Sequence, residues 1–103
     1  MILYNVTLTL APEIHDAWLT WMKDIHLGEV MATGMFKAYR MSRLLLPENP
    51  GHVTYTVQYG CESMERLEEY KMKFAPGLQA DGIHRFGDKM LAFRTVMETV
   101  LEG

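Results

Sequence analysis

The stretch "KMLAFRTVMETVL", residues 89–101, decides the fold. It is rich in residues that favour helices, so it can be mistaken for one. Read with a period of two, it separates Leu91, Phe93, Thr95 and Met97 from Met90, Ala92, Arg94 and Val96. That alternation, following the Gly87-Asp88 turn, predicts a strand.

The rest of the chain supplies the elements this strand needs. In residues 2–10, Ile2, Tyr4, Val6, Leu8 and Leu10 alternate with polar Asn5, Thr7 and Thr9, which predicts a half-buried first strand. Pro12 suits the first turn of a helix, where its missing N–H costs nothing. At about 100° per residue, Ile14, Trp18, Trp21, Met22 and Ile25 fall on one arc, with Asp16, Thr20, Lys23 and Asp24 opposite. Beyond His26 the phase breaks: Leu27, Val30 and Met31 point away from the stripe and Glu29 points into it. A kink or helix end near Gly28 is the expected remedy, with His26 at the rim of any cavity and Gly34 closing the segment. Residues 35–46 read as a second strand, with Phe36, Ala38, Arg40 and Ser42 on one face. "PENPGH" (47–52) is turn chemistry, and "VTYTVQY" (53–59) is a strand of clean alternation. Ser63 is a good N-cap for a second helix, whose apolar stripe is Met64, Leu67, Tyr70, Phe74 and Leu78. Pro76-Gly77 interrupts that helix, and Asp81-Gly82 marks the return.

The order is β-α-β-β-α-β over one domain, residues 1–103. Two right-handed crossovers make it a ferredoxin-like α+β sandwich, an antiparallel four-stranded sheet with both helices on one face. The other face would carry Asn5, Thr7, Thr54, Thr56, Gln58, Arg40 and Arg94. Such a face favours strands more than it favours solvent. In a domain of 103 residues it predicts a homodimer built on Arg40, Thr54, Thr56, Gln58 and Arg94.

Composition narrows the function. The net charge of −3 and ten scattered lysines and arginines argue against nucleic acid, which needs clustered positive charge. No apolar run approaches the ~20 residues of a membrane span, and the first ten residues read as a strand rather than a signal peptide. With one cysteine, Cys61, no internal disulfide can form, and the expected compartment is the cytoplasm. There is no GxGxxG, phosphate loop, Ser-His-Asp pattern or CxxC.

The pattern Trp18-x-x-Trp21-Met22…His26-x-x-Glu29-Val30-Met31-Ala32-Thr33-Gly34-x-Phe36, followed by "TYTVQY" and "HRFGDKMLAFRT", resembles a family of small bacterial proteins classed as a domain of unknown function. The resemblance spans nearly the whole chain. It implies a fold related to the dimeric α+β barrels, which include antibiotic-biosynthesis-type monooxygenases and haem-degrading enzymes. In that superfamily two ferredoxin-like units pack sheet against sheet, and ligands often sit between helices and sheet. The family has no assigned catalytic residues, and fold alone transmits no chemistry.

The candidate ligand-binding residues are Trp18, Trp21, His26, Glu29, Tyr55 and Tyr59. A tryptophan stripe at helical spacing is first of all core; its alternative role is a pocket wall that offers broad apolar contact and one N–H. His26 and Glu29 stand at i and i+3, yet two ligands make no metal site and the other histidines show no matching spacing. No metal or cofactor is expected. His26 has a pKa suited to a base, but no nucleophile accompanies it. Tyr4, Tyr55 and Tyr59 should face the helices, where His26, Glu29 or His84 could partner their hydroxyls. Three functions fit: a domain binding a small apolar or aromatic molecule between helix one and the sheet, a cofactor-free monooxygenase or isomerase, or a structural interaction domain.

Overall fold

The computed structural model describes Met1–Gly103. Four strands, β1 (Ile2–Leu10), β2 (Ala38–Arg43), β3 (Val53–Cys61) and β4 (Met90–Glu98), form one sheet in the order β2-β3-β1-β4. Every pairing is antiparallel. This is the ferredoxin-like arrangement, with β1 and β3 central.

The register fixes the two faces. Tyr4 lies opposite Tyr59 and Val6 opposite Val57, so Ile2, Tyr4, Val6, Leu8, Leu10, Tyr55, Val57, Tyr59 and Cys61 share the helix side. All nine are buried. Asn5, Thr7 and Thr9 pair with Gln58, Thr56 and Thr54 on the outer face.

The first helical segment starts with a 3-10 turn at Pro12–Ile14 and continues as α1 (His15–Trp21). It then widens into a π-helical turn at Met22–His26 and resumes as α2 (Leu27–Ala32). The Leu27 N–H reaches back five residues to the Met22 carbonyl. The helix therefore neither ends nor widens at Gly28, which sits inside α2. The phase break is resolved earlier, by one extra residue within a turn. In an unbroken α-helix Leu27 and Val30 would lie about 180° and 120° from Trp18, with Glu29 at about 20°. The wide turn sets later residues back by roughly 100°, so Leu27 and Val30 face the sheet and Glu29 turns outward. Leu27 and Val30 are buried, and Glu29 is exposed. Ile25, expected on the inner arc, lies in the widened turn and is exposed instead.

Ser63 caps the next helix as expected, its Oγ accepting from the Arg66 N–H at 3.2 Å. Helix α3 (Met64–Lys73) buries Leu67 and Tyr70. The chain bends at Phe74, just before Pro76, and α4 (Ala75–Phe86) follows. Asp81-Gly82 does not form a turn; both residues lie within α4. Gly82 serves packing, since a Cβ there would stand 3.2 Å from the Trp21 ring and 3.1 Å from Met90 Cε. The bare backbone lets α4 close onto Trp21.

Strand β4 is where the sequence expectation needs its main correction. Arg94 pairs with Val6 and Ala92 with Leu8, so Met90, Ala92, Arg94 and Val96 face the helices. Leu91, Phe93, Thr95 and Met97 face outward. Both alternating sets contain apolar residues, so period two identifies the strand without fixing its faces. Arg94 therefore leaves the outer face to which the sequence assigned it. No helix is long and apolar enough to cross a membrane.

Candidate functional site

A cavity of about 240 Å³ lies between the helices and the sheet. Its sheet wall includes Tyr4, Val6, Leu8, Val57, Tyr59, Ala92 and Arg94. Trp18, Trp21, Met22 and His26 come from the first helical segment, Tyr70 from α3, and Leu78, Gln79, Gly82 and Ile83 from α4. Fourteen of the eighteen lining residues are hydrophobic, so an occupant must be largely apolar. The helices leave β4 uncovered, since even its helix-side residues Ala92, Arg94 and Val96 are exposed. The cavity has its open flank there.

Polar atoms interrupt this apolar wall. Trp18 Nε1, Trp21 Nε1 and His26 Nδ1 are buried and have no hydrogen-bond partner in the chain. The His26 ring stacks on Trp21 with centroids 4.4 Å apart, and the Arg85 guanidinium sits 5.9 Å from the Trp21 ring centre. Burial lowers the His26 pKa to about 4, with Asp81 opposing the shift and Arg94 reinforcing it. His26 is thus a neutral ring at ordinary pH, and its unpartnered Nδ1 donates or accepts according to the tautomer.

Opposite stands an aromatic cluster. Tyr4 lies 6.2 Å from Tyr59 and 6.0 Å from Tyr70, and Phe36 lies 4.7 Å from Tyr70, ring centre to ring centre. Burial raises the pKa values of all three phenols, that of Tyr70 to about 12. Arg94 opposes the rise at each of them, and Gln79 does so at Tyr4. These hydroxyls therefore stay protonated and can donate.

The structure gathers Trp18, Trp21, His26 and Tyr59 at this cavity. Tyr55 is not among the lining residues; its hydroxyl lies 2.7 Å from His15 Nε2, a partner the sequence reading did not name. Glu29 lies outside, exposed on α2 for the reason given above. Of the outer-face residues, Arg40, Thr56 and Gln58 share one side of the sheet, and Thr54 is there too but already buried within the single chain. Tyr70 and Gln79 are cavity residues that the sequence did not single out, and Arg94 is one that it assigned to the outer face. Tyr70 belongs to a recognisable apolar stripe, whereas Gln79 carries no distinguishing pattern. Among His, Cys, Asp and Glu side chains, no group of three gathers to hold a metal ion.

Residues 1–100 match the family described as a domain of unknown function, DUF4286. The chain belongs to the DUF4286 family. No curated protein matches it. Solved structures similar to this DUF4286 chain share its fold at low identity. HapK from Hahella chejuensis superposes with a TM-score of 0.73 at 10% identity, over 100% of this chain and 96% of HapK. An antibiotic biosynthesis monooxygenase gives 0.62 at 15%, over 98% and 100% of the two chains. A dimeric ferredoxin-like protein from an uncultured marine organism gives 0.66 at 9%, over 99% and 98%. The likeness to the antibiotic-biosynthesis-monooxygenase-type proteins therefore holds at the level of fold.

Proposed function

We propose that this DUF4286 chain acts as a single cytoplasmic domain that binds a small, largely apolar aromatic molecule in the cavity between the first helical segment and the sheet. The observation that carries this reading is the set of unpartnered nitrogens on Trp18, Trp21 and His26 in an otherwise apolar cavity wall. Leaving a buried donor unpaired costs about 1–3 kcal/mol, a penalty that an acceptor on a bound molecule would relieve. An oxygenase or isomerase using His26 as its base is the weaker reading, because a ring with a pKa near 4 holds a proton poorly at neutral pH.

The same reading makes the protein a homodimer through its outer sheet face. Leu91, Phe93 and Met97 are 62%, 68% and 39% exposed there, beside Thr7, Thr56 and Gln58. Apolar side chains clustered on one face of a small domain favour a partner. A similar fold is described as dimeric in the marine protein.

The two tryptophans both line the cavity, so their fluorescence reports on it directly. Titration with a panel of one- and two-ring aromatics, neutral and anionic, should give saturable quenching for at least one member. Ala92→Phe, which fills the open flank, should remove it without loss of helical circular dichroism. Absence of saturable binding across the panel would overturn the reading.

A further inference from the structure

We propose that the cavity is selective for aromatic monoanions, with Arg94 as the counter-charge for a carboxylate and the aromatic walls holding its rings. This rests on the ligand-binding reading above and names the class of ligand. The first ground is placement. Strand alternation puts Arg94 on the helix side, opposite Val6, where it joins the cavity wall. The second is charge balance. The lining contains no aspartate or glutamate, and Arg94 takes part in no ion pair within the chain. Arg85, by contrast, is paired with Asp81 at 3.1 Å.

A guanidinium offers five donors and no acceptor, in a fork that matches a carboxylate. Its surroundings add further donors: the two indole N–H groups, which have no partner in the chain, and the protonated Tyr4 hydroxyl, which accepts from Arg94 and keeps its own proton to donate. A neutral His26 adds no competing positive charge. A donor-rich site carrying one unpaired positive charge discriminates against cations and favours an anion bearing several acceptor lone pairs. Because Arg94 stands on the open flank, the carboxylate would sit near the entrance and the rings deeper, toward Trp18 and Trp21. Size sets the scale: a cavity of about 150 Å³ accommodates benzene, so about 240 Å³ suits one or two fused rings.

The test compares 2-naphthoate with its neutral counterpart 2-naphthamide and with the cation 2-naphthylmethylammonium, by calorimetry at pH 7 and low salt. The intact chain should bind the carboxylate at least tenfold more tightly than the amide, with the cation weakest. Arg94→Gln should bring carboxylate and amide to within about twofold, while Arg94→Lys keeps part of the preference. Added salt should narrow the gap in the parent and leave Arg94→Gln unaffected. Arg94 is exposed, and matching melting curves would show that the variants fold. Equal binding of carboxylate and amide by the parent would overturn the anion proposal and leave the binding function standing. Failure of all three to bind, together with failure of every member of the aromatic panel, would overturn the function itself. A carboxylate preference that survives Arg94→Gln would remove Arg94 from the site.

Discussion

Deleting Asp24 should cost little stability, and inserting one alanine after it should cost most of what the domain has. Asp24 is exposed within the π-helical turn, where the Leu27 N–H spans five residues to the Met22 carbonyl. Removing one residue shortens that span to four, the ordinary α-helical bond. Leu27 and Val30 keep their direction toward the sheet because the wide turn and the surplus residue disappear together. We expect a change within about 1 kcal/mol, as for other surface changes that leave packing intact. The insertion adds a further 100° or so. It turns Leu27 and Val30, now 5% and 1% exposed, out of the core and drives Glu29 toward it. Losing two buried aliphatic side chains costs about 1.5–3 kcal/mol each, and an unpaired carboxylate adds to that. The two side chains alone come to ~3–6 kcal/mol, which rivals the whole stability of a small domain. Urea unfolding followed by tryptophan fluorescence and by circular dichroism measures both variants. If the deletion proves as damaging as the insertion, helix phase is not what the wide turn serves. The deletion also moves His26 relative to Trp21, so ligand binding should fall even where stability holds.

Further outcomes follow from burial and charge. Trp18 is fully buried and packs 5.0 Å from the Tyr55 ring, so Trp18→Ala should destabilise by ~3–5 kcal/mol in the same denaturation assay; a loss under about 1 kcal/mol would mark it as a wall of open space. His26 is held below its ordinary 6.5 at about 4, so between those values the unfolded chain takes up the proton first and stability falls as the pH drops. Melting curves from pH 7 to pH 4.5 should show that loss, on the order of 2–3 kcal/mol at most, and His26→Gln should flatten it. Phe93→Asp should shift the protein to monomer in sedimentation at micromolar concentration. Arg94→Asp should not, since Arg94 faces the helices.

The sequence shows its element order openly and conceals its phases. The alternation of residues 2–10 and 53–59 assigns both central strands and their buried faces, because one alternating set is apolar and the other is threonine, asparagine and glutamine. On β4 both sets contain large apolar residues, and a lone arginine suggested the outside. Strand alternation turns it inward, opposite Val6, and because the helices stop short of β4 a charged side chain there still reaches solvent at the cavity's open flank. The tryptophan segment was half legible. Periodicity detects that Leu27 and Val30 leave the earlier stripe, but it cannot distinguish a kink from a widened turn; both restore the phase. The turn lies among Met22–His26, with no proline or glycine to announce it. Gly82 carried a different message from the one read. It marks close approach of α4 to Trp21, a tertiary contact that no local pattern records.

The energetics of the cavity tie its polar atoms to its purpose. A closed, dry void forfeits about 24 cal/mol for each Å³, so one of about 240 Å³ would lose on the order of 6 kcal/mol. Few domains of this size can bear that. The open flank at β4 relieves the cost by letting solvent in, but water settles only where it finds two to four polar partners. Tyr4, Tyr59, Arg94 and Gln79 line the same space and offer them. An aromatic acid entering by that flank would take over these contacts through its carboxylate, and its rings would cover Trp18 and Trp21. The gain then comes from two sources, returning water to bulk and burying apolar wall, with Arg94 deciding which aromatics qualify. A neutral hydrocarbon would also expel the water but would leave that water's polar partners unpaired, which offsets the gain. The carboxylate preference and the survival of a cavity in so small a core therefore have one physical origin: polar groups around an apolar space, among them two indole N–H donors with no partner in the chain.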